Sequence, residues 1–156
     1  VDLVAVSPLT RAIQTATAAF GCDPAARGDP GSTAPKLVAL EALREFCGKD
    51  FQPCDQRRTR DELEVAFPYA DFRNVPPGVD TLLGPGVVET PESADKRIIW
   101  LLAWLRQQPH QSIACVAHFQ ILTRIFSKHL EPAGWNGSKY GDLTNLEIRS
   151  VPVRFD

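Results

Sequence analysis

Two stretches of this chain, "VDLVAVS" and "SIACVAH", are unbroken apolar runs of strand length, and each gives way at a polar residue to a segment of helical composition. A strand that is apolar at every position has no face to turn toward water, so it belongs inside a sheet covered on both sides, the environment of parallel strands. The segment after the first run, "TRAIQTATAAF", is rich in Ala, Gln and Arg and stops at Gly21; the one after the second, "FQILTRIFSKHL", repeats apolar residues at helical spacing through Ile121, Leu122, Ile125 and Phe126. Both read as βα units. "KLVALEAL" is a further strand candidate that ends at Arg44-Glu45, and "NLEIRSVPVRF" alternates as a strand does. "ESADKRIIWLLAWLRQQ" carries acid in its first turn, base and amides in its last, and a wide apolar face between, which predicts a helix packed on a sheet. The order β-α-β-(insertion)-α-β-α-β predicts an α/β fold, a mostly parallel or mixed sheet flanked by helices on both faces.

A chain of 156 residues is the length of one domain, and residues 1–156 are read as a single one. Residues 46–91, rich in Pro and Gly with one short helix at "TRDELEVAF", read as a long insertion above the core, and 22–35 as a surface loop. At 44% hydrophobic and 23% charged residues, with a net charge of −2, the chain has no footprint for nucleic acid or for an anionic membrane surface. No run reaches the length of a membrane span, so a soluble protein is expected. Cys22, Cys47, Cys54 and Cys115 form no C-x-x-C pair, and Cys115, inside an apolar run, reads as a small buried hydrophobe. Reduced thiols and a cytoplasmic location follow as expectations. The chain contains no Met, so its natural start is expected upstream of Val1.

In an open α/β sheet, ligands gather at the carboxyl ends of the strands. The polar residues there are Ser7 and Arg11 after the first strand, Arg44 and Glu45 after the second, and His118 after "SIACVA". Each has a structural alternative. Ser7-Pro8 looks like an N-cap and first helical residue, Arg11 like a solvated helix residue, Glu45 like a loop carboxylate and His118 like a polar plug of the core. His110 and His129 read as surface residues, and the three histidines have no metal-site spacing. Together, however, an arginine near a helix N-terminus, a histidine at a strand end and a carboxyl group describe a site for a phosphoryl group. Cations and N–H groups would hold its oxygens, and the acid would protonate the leaving oxygen.

Those residues stand in motifs that resemble the histidine phosphatase superfamily, the phosphoglycerate mutase-like proteins. "SPLTRAIQTA" is similar to the family's second signature, and "REFCGKDFQPCDQRRTRDELEVAFPYADF" to its eukaryotic branch, with an Arg-Glu, a Gly, a Cys-Asp, an arginine pair and a Phe-Pro in that order. "TPESADKRIIWLLAWL" resembles the Glu-Ser helix and "IACVAH" the last catalytic strand. The resemblance implies that Arg11 binds phosphate, that Glu45 is the general acid and base, and that His118 is the second histidine on the phosphoryl group. Arg57 and Arg58 match the arginine pair, either reaching the distal part of a substrate or forming a solvated charged face. No metal and no cofactor are implied, and the expected partner is a small phosphorylated substrate.

The chain departs from the family in two places. No Arg-His-Gly occurs, and no histidine precedes His110. In the family the histidine of that motif attacks phosphorus and becomes a phosphohistidine, splitting one hard displacement into two easier ones. By the resemblance, a first strand and helix are missing upstream, the motif lies about 50 to 80 residues before Val1, and the isolated chain is inactive. Phe119-Gln120 follows His118 where the family usually has Gly or Ser-Gly, which predicts a narrowed or remodelled pocket.

Two readings follow: hydrolysis of a phosphomonoester through a phosphohistidine in the full-length protein, or a noncatalytic relative that binds a phosphate ligand or partner. An unrelated nucleotide-binding α/β domain is disfavoured because no Gly-rich loop follows a strand. A sheet lacking a strand would expose an edge, so self-association is also expected.

Overall fold

A computed structural model describes residues 1–23, 25, 34–46, 48, 51–84, 86–130 and 143–155. Most of the 22–35 loop, and Cys47 in the 46–91 insertion, lie outside the described residues. Four strands form one parallel sheet: β1 (Leu3–Val6), β2 (Lys36–Leu40), β3 (Ala70–Asn74) and β4 (Ile113–Val116), in the order β3-β2-β1-β4. The helices are α1 (Thr10–Phe20), α2 (Arg60–Ala66), α3 (Pro91–Arg106) and α4 (Phe119–Arg124), the last continued by a π-helical turn over Ile125–His129.

The first apolar run becomes the inner strand. β1 pairs with β2 on one side and β4 on the other, and all four of its residues are buried. Successive side chains point to opposite faces, so Val4 and Val6 join one core with Ala12, Ile13 and Ala16 of α1 and Leu63 of α2. Leu3 and Ala5 join the other, with Ile98 and Leu101 of α3 and Ile121 and Ile125 after β4. Helices therefore cover both faces, as expected, and the strand polarity is entirely parallel. α1 ends at Gly21, whose φ of 58° is the left-handed conformation that closes a helix without a Cβ penalty. α3 begins at Thr90, whose hydroxyl accepts the Ser93 N–H at 3.2 Å.

Three expectations change. The 46–91 insertion is not wholly outside the core, because its "ADFRN" segment is β3, hydrogen-bonded in parallel to β2. Only Phe72 of that strand is fully buried, and its polar neighbours face outward, so an edge strand here carries almost no apolar signal. "NLEIRSVPVRF" forms no strand: Leu146 and Ile148 are 83% and 88% exposed. Alternation marks a face but supplies no neighbour to pair with, and Pro152 removes a donor. Cys115 is exposed rather than buried, on a strand that pairs with β1 alone among the described residues.

Candidate functional site

All four strands run the same way, so their carboxyl ends open onto one side of the sheet. Val6 lies level with Val116 in the β1–β4 register, and the Ser7 N–H donates to the Val116 carbonyl at 2.9 Å. That pairing carries Ser7 to the mouth of the site, where its Oγ stands 2.8 Å from His118 Nε2 and also accepts the Leu9 N–H at 3.3 Å. Ser7 is thus no N-cap. The helix starts after Leu9, and the serine, fully buried, orients the histidine instead. Burial and then the nearby Arg11 guanidinium depress the proton affinity of His118, bringing its pKa from 6.5 to about 4. The free ring is neutral at pH 7.

Glu45 sits beneath the start of α4. Its Oε1 accepts the N–H of Phe46 at 2.8 Å and of Ile121 at 3.0 Å, and Oε2 accepts that of Gln120 at 3.3 Å. Desolvation still raises its pKa above the ordinary glutamate value, against the pull of those three N–H groups, and the negative charge of Asp55 adds to the rise. A half-buried carboxyl group with raised proton affinity is suited to hand over a proton. The backbone segment that carries it is clamped from α3: Arg97 donates to the carbonyls of Ala42 at 2.7 Å, Arg44 at 2.8 Å and Glu45 at 3.2 Å, while Glu89 holds its other edge at 2.6 and 2.8 Å.

Arg11 leans from the first turn of α1 toward the insertion. Nη1 donates to the Cys54 carbonyl at 2.5 Å, and Nη2 to Asp55 Oδ1 at 2.7 Å, with 41% of its side chain still exposed. Glu45 and Asp55, with Phe46, Phe51, Gln52 and Gln120, line a polar cleft of about 160 Å³. Of the two residues after His118, Gln120 lines this cleft and Phe119, 49% exposed, does not.

The arginine pair separates. Arg57 has a fully buried side chain, its Nε 3.1 Å from Glu41 and its Nη1 donating to the Arg58 carbonyl at 2.8 Å, so it neither reaches a substrate nor faces solvent. Arg58 is exposed. Arg44, the polar neighbour of Glu45, is 1% exposed and points the other way, doubly bonded to Asp80 at 2.6 and 2.7 Å and to Glu41 at 2.9 Å. His129 also departs from a surface reading, since its Nε2 meets Asp95 Oδ1 at 2.7 Å. Arg11, Glu45 and His118 are brought together; Arg57 is not. Sequence reasoning named Ser7 at its strand end but read it as an N-cap, and it missed Asp55 and Arg97 as parts of the site, although Asp55 stands in the Cys-Asp of the family-like motif.

Comparison with known proteins places the chain in a family. The family model described as "Histidine phosphatase superfamily (branch 1)" matches residues 1–153. A "Phosphoglycerate mutase-like protein" of Arabidopsis thaliana is 32% identical over 173 residues, covering 98% of this chain and 63% of its own. The Arabidopsis "Phosphoglycerate mutase-like protein 1" is 28% identical over 98% of this chain and 61% of its own. The chain therefore spans less than two thirds of the length of these relatives. No solved structure gives a significant match.

Proposed function

The chain belongs to the histidine phosphatase superfamily, and from that premise we propose that the full-length protein hydrolyses a small phosphomonoester through a phosphohistidine formed on a residue outside these 156. The residues described here would be the rest of the machinery. Arg11 and His118 hold the phosphoryl oxygens, and Glu45 gives a proton to the leaving oxygen and takes one from the water that then attacks phosphorus. Arginine suits its place because its planar fork matches phosphate.

The observation that carries this reading is convergence: Arg11, Glu45 and His118 arrive from three separate strand ends, and the carboxyl group among them has its proton affinity raised. Hydrolysis is preferred to mutase chemistry because it asks only for water, whereas a mutase must also hold its intermediate for return of the phosphoryl group. A second reading has its own support. Gln120 lines the cleft beside Glu45, a polar wall that suits a noncatalytic module binding a phosphate ligand or partner.

The purified 156-residue chain is expected to bind inorganic phosphate or vanadate, to lose that binding in Arg11→Met and His118→Ala, and to show no turnover of p-nitrophenyl phosphate. Turnover above that of an Arg11→Met control would overturn the role given to a nucleophile outside the chain. Binding indifferent to both substitutions would overturn the site. Extending the coding sequence upstream discriminates the two readings: phosphatase activity gained with an Arg-His-Gly segment supports the enzyme, and phosphate binding without activity supports the binding module.

A further inference from the structure

The insertion and the phosphate site meet at one carboxylate. Asp55 closes a short 3-10 turn, Pro53–Asp55, in which its Oδ2 accepts the Gln52 N–H at 2.9 Å while its Oδ1 reaches Arg11 at 2.7 Å. The turn itself is held from beneath. Arg44 Nη2 donates to the Asp55 carbonyl at 2.9 Å, and Arg44 is in turn fixed by Asp80, the two side chains each 1% exposed. Charges enclosed in this way have little freedom to rearrange, because each depends on its partner to offset desolvation. A rigid relay therefore runs from Asp80 through Arg44 and the Asp55 backbone to the Arg11 guanidinium. Arg11 has five N–H donors, and the contacts to Cys54 and Asp55 engage one on each terminal nitrogen. The Nε–H and the second N–H of each terminal nitrogen remain for an anion.

We propose that Asp55 is a positioning residue of the phosphate site, fixing the Arg11 fork so that its remaining donors face the phosphoryl oxygens, and thereby coupling the docked insertion to phosphate binding. This rests on the reading of Arg11 as a phosphate ligand given above. It makes a prediction opposite to that of simple electrostatics. Removing a negative charge beside an anion site strengthens anion binding when the charge acts only through space. Where the carboxylate holds the arginine in place, the same removal weakens it.

The test is phosphate affinity of the chain, measured by calorimetry for wild type, Asp55→Asn, Asp55→Glu, Arg11→Met and the Asp55→Asn/Arg11→Met double variant. Asp55→Asn is expected to bind phosphate about fivefold or more weakly, Asp55→Glu to recover part of the loss, and Asp55→Asn to change little once Arg11 is gone. A parallel readout separates positioning from loosening. His118 is faced by Arg11, Arg44 and Arg97, which hold its pKa down, and by Asp55, which holds it up. In Asp55→Asn its NMR titration midpoint should move further down, whereas a site opened to solvent would move it up toward that of free imidazole. Equal or tighter phosphate binding by Asp55→Asn, with binding still lost in Arg11→Met, overturns the proposal and leaves the phosphate site standing. A rise of the His118 midpoint in Asp55→Asn also overturns it. Absence of phosphate binding by the wild-type chain overturns both.

Discussion

At the scale of single residues, burial pushes two groups of the site, Glu45 and His118, away from their ordinary titration. His118 is the clearest case. In the unfolded chain it protonates near pH 6.5, and in the folded chain only near pH 4, so the unfolded state binds more protons between those values. Stability from this group is therefore complete above pH 6.5 and is lost as the pH falls toward 4. The expected measurement is a urea-unfolding midpoint that falls from pH 7 to pH 4.5 more steeply in the wild type than in His118→Gln. Equal slopes would mean that the ring is already solvated in the fold. Glu45 works in the opposite sense, since its raised pKa makes the folded state the better proton acceptor as the pH drops. Comparison with the His118 variant isolates one effect from the other.

At the scale of elements, the insertion is tied down by charge as much as by apolar packing. Asp80 accepts from Arg44, from the Arg57 backbone at 2.8 Å and from the backbone N–H groups of Leu82 and Leu83 at 2.9 and 3.1 Å. Arg44 and Asp80 have almost no contact with water, so removing Asp80 leaves Arg44 buried and charged with Glu41, at 2.9 Å, as its remaining carboxylate. Asp80→Ala is expected to cost about 3 kcal/mol, the lower end of the penalty for breaking a buried pair from one side, because Glu41 still faces Arg44. Chemical denaturation measures the cost, and limited proteolysis should place the first new cleavages between residues 53 and 83. Substitution at the exposed Arg60–Glu64 pair, 2.7 Å apart on α2, is expected to change stability by less than about 1 kcal/mol.

At the scale of the whole molecule, the sheet ends among the described residues at β4, a short strand of which Cys115 is exposed and the other residues are half-buried. An apolar edge offers unpaired N–H and C=O groups to any other strand. Elsewhere on the surface, Ile99 and Trp100 of α3 are also apolar and open, at 59% and 44% exposure. The chain is expected to associate as its concentration rises in sedimentation velocity, and Cys115→Lys, which places a charge on the edge, to shift it toward monomer. A wild-type chain that stays monomeric at high concentration would count against the exposed edge as an association surface. No helix among the described residues is long and apolar enough to cross a membrane.

Much of this was legible in the sequence, for a local reason. Burial on both faces writes itself as an unbroken apolar run, and helical packing as a repeat of three to four residues, so β1, β4, α1, α3 and α4 could be read from neighbouring letters. Their order, with the residues at their ends, was enough to resemble a family and to single out Arg11, Glu45 and His118. What the tertiary structure decided lies between residues far apart in the chain. "ADFRN" became a strand because β2 offered it an edge, and "NLEIRSVPVRF" did not become one although its alternation is the better of the two. Arg57 went inward to Glu41 while its neighbour Arg58 stayed outside, a choice that two identical letters do not encode. Asp55 met Arg11 across 44 positions, and Ser7 met His118 across 111. Such contacts depend on strand register and on which partner offsets the cost of burying a charge, and both are settled only when the sheet is assembled.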